Sequence, residues 1–185
     1  LHLGEVKKDR RETRPYTLKP FPIMPKYHQF CTFFLDHFFF GLEVENVQEV
    51  IRYQSIIRVP LAPPAVRGLI NLRSQIVPAV DLRQFLELDQ NVTKIPIETQ
   101  MDENSEHLPL NVVVRTADEV ISLLVDDVGE VLELSDDCFE KSPETLRGNA
   151  RELIRGAYKL SDQLLLILDT DKVVELTILK PTLRN

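Results

Sequence analysis

The alternation of apolar and polar positions predicts short strands along most of the chain. Phe30–Leu35 and Phe38–Val44 flank a polar break at Asp36-His37, and Phe40, Leu42 and Val44 fall on one face of the second run. Glu45–Val50 fits one helical turn or the start of a strand. Ile51–Val59 predicts a strand, ended by Pro60 and broken by Pro63-Pro64. Leu69–Leu72 and Ile76–Leu82 lie on either side of Arg73, Ser74 and Gln75, which predicts a tight hairpin. Both runs are apolar at nearly every position, so both faces are expected to be covered by protein. Arg73 is then a cation at the tip of a buried hairpin, which calls for a carboxylate partner or a binding groove. Asn111–Thr116, Val120–Asp126 and Val128–Leu134 predict three more strands, with a turn at Ala117-Asp118. Ile154–Leu160 and Gln163–Leu168 form a last hairpin across Ser161-Asp162.

Helices are few and short. Asp81-Leu-Arg-Gln84 fits a capping box opening a helix to Leu86. Ser142-Pro143 fits an N-cap followed by the first helical position. Asp169 is placed to cap a helical stretch through Leu176. Leu88–Leu110 is long, polar and acidic, and reads as a solvated excursion. About ten short strands with turn punctuation make an all-β pattern, open between barrel and sandwich.

Composition narrows the class. The chain is 43% hydrophobic over 185 residues, enough for one medium domain or two small ones sharing a core. Cys31 and Cys138 occur in unrelated contexts and read as reduced thiols. No apolar run reaches the length of a membrane helix, and no secretory pattern stands at the start. The net charge of −7 divides unevenly, with residues 1–26 carrying +4 and the remainder −11. An acidic body argues against nucleic acid. The basic, proline-punctuated residues 1–26 read as an extended arm, residues 27–176 as the domain and residues 177–185 as a tail. The start at Leu1 suits a piece of a longer protein.

Catalytic signatures are missing. There is no Walker A loop, no Gly-x-Gly-x-x-Gly and no Gly-x-Ser-x-Gly. His2, His28, His37 and His107 are scattered without metal-ligand spacing, so no metal or cofactor is expected. Asp126-Asp127, and Asp169 with Asp171, follow apolar runs as a Mg²⁺-binding phosphoacceptor site would. That site needs parallel strands alternating with full helices, which this chain lacks, so strand-end and cap roles are preferred. The cluster Phe33, Phe34, Phe38, Phe39 and Phe40 reads as core.

One stretch carries a family resemblance. Gly68-Leu-Ile-Asn-Leu-Arg73 followed by Ile76-Val-Pro-Ala-Val-Asp-Leu-Arg83 resembles the signature of CheW-like domains, the coupling modules of bacterial chemotaxis arrays. Phe40-Gly-Leu-Glu-Val44, Val47-Gln-Glu-Val50, Leu124–Val131, Ile154–Tyr158 and Leu165–Asp169 resemble further family segments in order. Together they cover about Tyr27 to about Leu176. The chain departs from the pattern at Ser74, where the family usually has glycine. If that position needs positive φ, serine costs on the order of 1 kcal/mol or forces another turn type.

The resemblance implies two small five-stranded SH3-like β-barrels packed over a shared core, with a few short helices. It implies a non-enzymatic cytoplasmic scaffold at receptor arrays, coupling methyl-accepting chemoreceptors to the histidine kinase CheA. One barrel surface would dock the kinase regulatory domain, and a groove near Arg73 would take the receptor's helical tip. Arg73, Glu49, Val47, Leu69 and Ile70 are the residues it assigns there, with Glu49 and Arg73 expected to pair. Core packing is an equal alternative for Val47, Leu69 and Ile70. The same domain ends CheA-type kinases, so a regulatory module excised from such a kinase is a second reading. From other classes, a β-barrel nucleic-acid-binding module and a small β-rich enzyme stay open.

Overall fold

Among the described residues, the apolar runs become eleven strands and three short helices. In chain order these are β1 (Tyr27–Leu35), β2 (Phe38–Glu43), β3 (Val47–Arg52), β4 (Val66–Leu72), β5 (Gln75–Asp81) and α1 (Leu82–Leu86), followed by β6 (Leu110–Arg115), β7 (Val120–Val125), β8 (Asp127–Ser135) and β9 (Phe139–Lys141). The chain then runs through α2 (Gly148–Leu153), β10 (Ile154–Lys159), β11 (Leu164–Leu168) and α3 (Thr170–Leu179). Single 3-10 turns at Val44–Asn46 and Asp136–Cys138 link β2 to β3 and β8 to β9. The structure is a computed structural model that describes residues 26–86, 88, 108–142, 146 and 148–179. The basic arm, most of the acidic excursion after Leu88, the predicted Pro143 helix start and most of the tail lie outside the described residues.

Two sheets form. One has six strands in the order β8-β1-β2-β11-β10-β9, and the other has five in the order β3-β6-β7-β5-β4. Each joins two antiparallel hairpins through one parallel pair, β2 with β11 in the first and β7 with β5 in the second. The expected five-stranded barrels are thus a five-stranded sheet and a six-stranded one, whose extra edge is the three-residue β9.

One face of each sheet meets the other over a shared core. Phe33, Leu35, Phe40, Leu42 and Leu168 come from the first sheet, and Val80, Val112, Val114, Ile121 and Leu123 from the second. Leu82, Leu86, Leu153, Val173 and Leu176 of the three helices close its margin. Each fully buried side chain of this size contributes about 2 kcal/mol. The opposite face of each sheet curls around a core of its own. In the first sheet, Leu132, Leu134 and Phe139 from the edge strands pack with Phe30, Phe39 and Tyr158. In the second, Ile51 at one edge and Ile70 and Leu72 at the other share a cluster with Val77 and Val113. A flat sheet of five strands would hold its edges roughly 19 Å apart, too far for one cluster.

A bent segment closes each curl. In the first sheet β8 turns at Asp136–Cys138 and continues as β9, which pairs with β10. In the second, β3 ends at Arg52, and the chain crosses to bridge β4 at Ile57–Leu69, with both amide bonds at 2.8 Å. The predicted strand over Ile51–Val59 is corrected accordingly: the chain leaves β3 early to reach the opposite edge. Glycine is required where the crossing segment touches. A Cβ on Gly68 would lie 2.3 Å from the Ile57 carbonyl oxygen, and one on Gly156 would lie 2.4 Å from the Glu140 carbonyl oxygen.

The two halves are an internal repeat. Val66–Asp81 and Ile154–Asp169 align without a gap and are identical at five of sixteen positions, Gly68 with Gly156 and Asp81 with Asp169 among them. Gly41–Val50 and Ser122–Val131 are identical at five of ten. Pairing follows suit: the bulge in β4–β5 falls between Val66 and Gly68, and that in β10–β11 between Ile154 and Gly156. In sequence each unit runs hairpin, bent strand, hairpin, helix. In space the first hairpin of each unit completes the other unit's sheet.

Both aspartate caps form. The Asp169 carboxylate accepts from the Lys172 amide at 3.2 Å, opening α3, which runs three residues beyond its predicted end. Asp81 accepts from the Arg83 amide at 3.1 Å, one residue short of the capping-box geometry. The Ser142 hydroxyl donates to the Ile154 carbonyl.

Candidate functional site

The central hairpin turns through two residues with left-handed backbone, Arg73 at φ 50° and Ser74 at φ 74°. Positive φ at both central positions is the type I′ turn that suits the twist of a hairpin. Neither residue is glycine, so each costs about 1 kcal/mol of backbone strain. The Asn71 side-chain oxygen steadies the turn by accepting from the Ser74 amide at 2.8 Å.

This turn projects Arg73 into solvent, its side chain 80% exposed. The expectation of a buried tip is therefore corrected. Near the tip the inward residues Ile70, Leu72 and Val77 are buried, while Asn71 and Ile76 on the outer face are open; that face is covered only farther from the turn, at Val80. Arg73 Nη2 donates to Glu49 Oε2 at 2.8 Å. Glu49 sits on β3, shares its face with Ile51 toward the sheet's own core, and is only 18% exposed. Because β3 and β4 are the two edges of this sheet, the pair spans its seam.

The other assigned residues divide by strand parity. Ile70 faces inward and is 1% exposed, so its assignment to a groove is corrected to core. Val47 packs against the shared core. Leu69 faces outward and is half-buried. Register places Ile57, Leu69 and Pro78 side by side on that outer face, with Ile76 one step nearer the turn. Ile57 and Ile76 are exposed, as is Leu61, whose φ of 61° is left-handed. This apolar row beside Arg73 was missed from sequence, because an alternating run does not tell which face is left uncovered.

Among the described residues, no group of three or more His, Cys, Asp or Glu side chains is arranged to hold a metal. The site offers a held cation beside apolar side chains, a combination suited to docking another surface.

A curled two-sheet β protein with such a tip is a binding scaffold in form. Residues 29–177 match the CheW-like domain family, and the chain belongs to it. It is 31% identical over 147 residues to the chemotaxis protein CheW of Klebsiella aerogenes, covering 79% of this chain and 81% of that one. It is 25% identical over 154 residues to the chemotaxis protein CheW of Treponema pallidum, covering 83% and 86%. Among solved structures it resembles the scaffolding protein TtCheW of Thermoanaerobacter tengcongensis, with a TM-score of 0.62 at 25% identity over 79% of this chain and 90% of that one.

Proposed function

We propose that this chain, a chemotaxis coupling adaptor, works by binding alone, joining methyl-accepting chemoreceptors to the histidine kinase CheA at receptor arrays. Arg73 and the outer row of Leu69, Ile57 and Ile76 meet the receptor's helical tip. The row supplies apolar contact, and the arginine sets the register of the incoming helix. Val47 and Ile70 stand behind this surface as support. The kinase regulatory domain docks on a separate surface.

The observation that carries this reading is the state of Arg73. An exposed arginine is held on a strained turn by a largely buried glutamate, and strain of this kind concentrates at functional sites. The internal repeat has Ser161 at the matching position, so the architecture itself does not require an arginine there.

The test is receptor-dependent activation of the kinase, with a pulldown of the kinase as control. Arg73→Glu is expected to fold, to bind the kinase, and to lose most receptor coupling. The exchange Glu49→Arg with Arg73→Glu is expected to restore part of it. Wild-type activation by Arg73→Glu refutes the role of this residue. Failure of the exchange while both single variants fail leaves Arg73 in place but removes its dependence on Glu49.

A further inference from the structure

Among the described residues the chain crosses between the sheets twice, through Val44–Asn46 and through Asp126 alone. Asp126 belongs to the first sheet's opening hairpin by two hydrogen bonds. Its amide donates to the Phe34 carbonyl at 3.0 Å, and its carboxylate accepts from the Asp36 amide at 2.6 Å. The same carboxylate receives Nη2 of Arg83, which stands on α1 directly after the second sheet's central hairpin. Arg83 is only 11% exposed, and its Nη1 also donates to Asp81, 5% exposed, at 3.4 Å. One guanidinium is thus shared by a carboxylate of the second sheet and one that hangs from the first.

The shared core is apolar, and its burial favours contact of the sheets without a polar partner that marks one angle. A fork with two carboxylates is directional. The corresponding tie at the other crossing is weaker, a neutral Asn46 amide donating to the Thr170 hydroxyl at 3.3 Å. The repeat does not carry this device, because Asp171 stands where Arg83 does and Glu45 where Asp126 does.

The structure assigns Arg83 and Asp126 as positioning residues: their ion pair fixes the angle between the two sheets, and so the placing of the Arg73 surface relative to the rest of the scaffold. The functional half of this inference rests on the scaffold reading above, while the geometric half does not.

Spin labels on cysteines introduced at Asp118 and Asp162, exposed turn residues of the two sheets, report the angle as a distance distribution. Cys138, which is exposed, is replaced by serine. Cys31 stays, since it is buried and burial pushes its thiol pKa up. Asp126→Asn keeps an oxygen for the Asp36 amide and removes the charge from Arg83. The distribution is expected to widen about twofold, with kinase binding within about twofold of the parent and receptor-dependent activation down on the order of tenfold. Should that variant fail to fold, Arg83→Lys, which keeps the charge and loses the fork, carries the same readings. An unchanged distribution overturns the joint. A widened distribution with full activation overturns its positioning role. If the unmutated protein does not activate the kinase, the scaffold reading fails, and the distance measurement still decides the joint.

Discussion

The six-stranded and five-stranded sheets share parts and spatial order, yet their seams differ. Both use a bent segment that crosses from one edge to the other, and both need a glycine where it crosses, Gly156 and Gly68. Both end in an aspartate that caps a helix, Asp169 and Asp81. At the hairpin tips they part. The five-stranded sheet holds Arg73 and Ser74 in left-handed backbone and clasps Arg73 to Glu49. The six-stranded sheet has Ser161 and Asp162, outside the positive-φ set, with Glu130 matching Glu49. A sheet of this design therefore curls around its own core without the arginine. The exposed tip position at which the halves differ, Arg73 against Ser161, is one the fold does not need.

The glycines test the agreement most severely. Gly68→Ala and Gly156→Ala are each expected to lower unfolding free energy by about 3 kcal/mol or more, since backbone must move in both cases. Urea denaturation measures this, and a tolerated alanine at either site breaks the equivalence. The caps come next and divide the halves. Asp169→Ala removes a helix cap and is expected to cost about 1 kcal/mol. Asp81→Ala also strips a nearly buried arginine of one partner, for about 3 kcal/mol in total. Equal losses in parallel melts would deny Arg83 that part.

The turns give smaller effects. Ser74→Gly relieves positive φ and leaves the Asn71 bond to the backbone amide intact, so it is expected to stabilise by up to about 1 kcal/mol. Asp162→Gly, at the matching tip, has no such strain to relieve and is expected to destabilise slightly. A gain at both tips would mean the turns are alike after all. Smallest is Arg73→Ala: the arginine is 80% exposed, so its side of the pair is screened by water, and its loss is expected to change stability by less than about 0.5 kcal/mol. A loss of several degrees in Tm would make the clasp a structural staple and weaken its assignment to binding.

Local features were legible along the chain. The hairpins around Asp36-His37, Arg73-Ser74 and Ser161-Asp162 were marked by their polar breaks, and the Asp81 and Asp169 caps by their place at the end of an apolar run. The spacing of five segments was enough to reveal the family. The repeat was present in the same letters, at five identities in sixteen, but a reading guided by periodicity finds strands and does not compare them. Strand partners, the exposure of Arg73 and the burial of Ile70 were not legible. A β-branched run pairs equally well with many others, because its hydrogen bonds are made by backbone common to all residues. The parallel contact of β2 with β11 joins Phe39 to Leu165, and the Asp126–Arg83 tie joins a crossing to a helix 43 residues earlier. Sequence by itself determined where most strands lie, where the hairpins turn and which family the chain joins, since those depend on neighbours along the chain. Only the tertiary structure decided which hairpin completes which sheet, which face stays open beside Arg73 and what holds the sheets at their angle. Those depend on burying apolar faces and charges contributed by residues far apart in sequence, a balance that no local window contains.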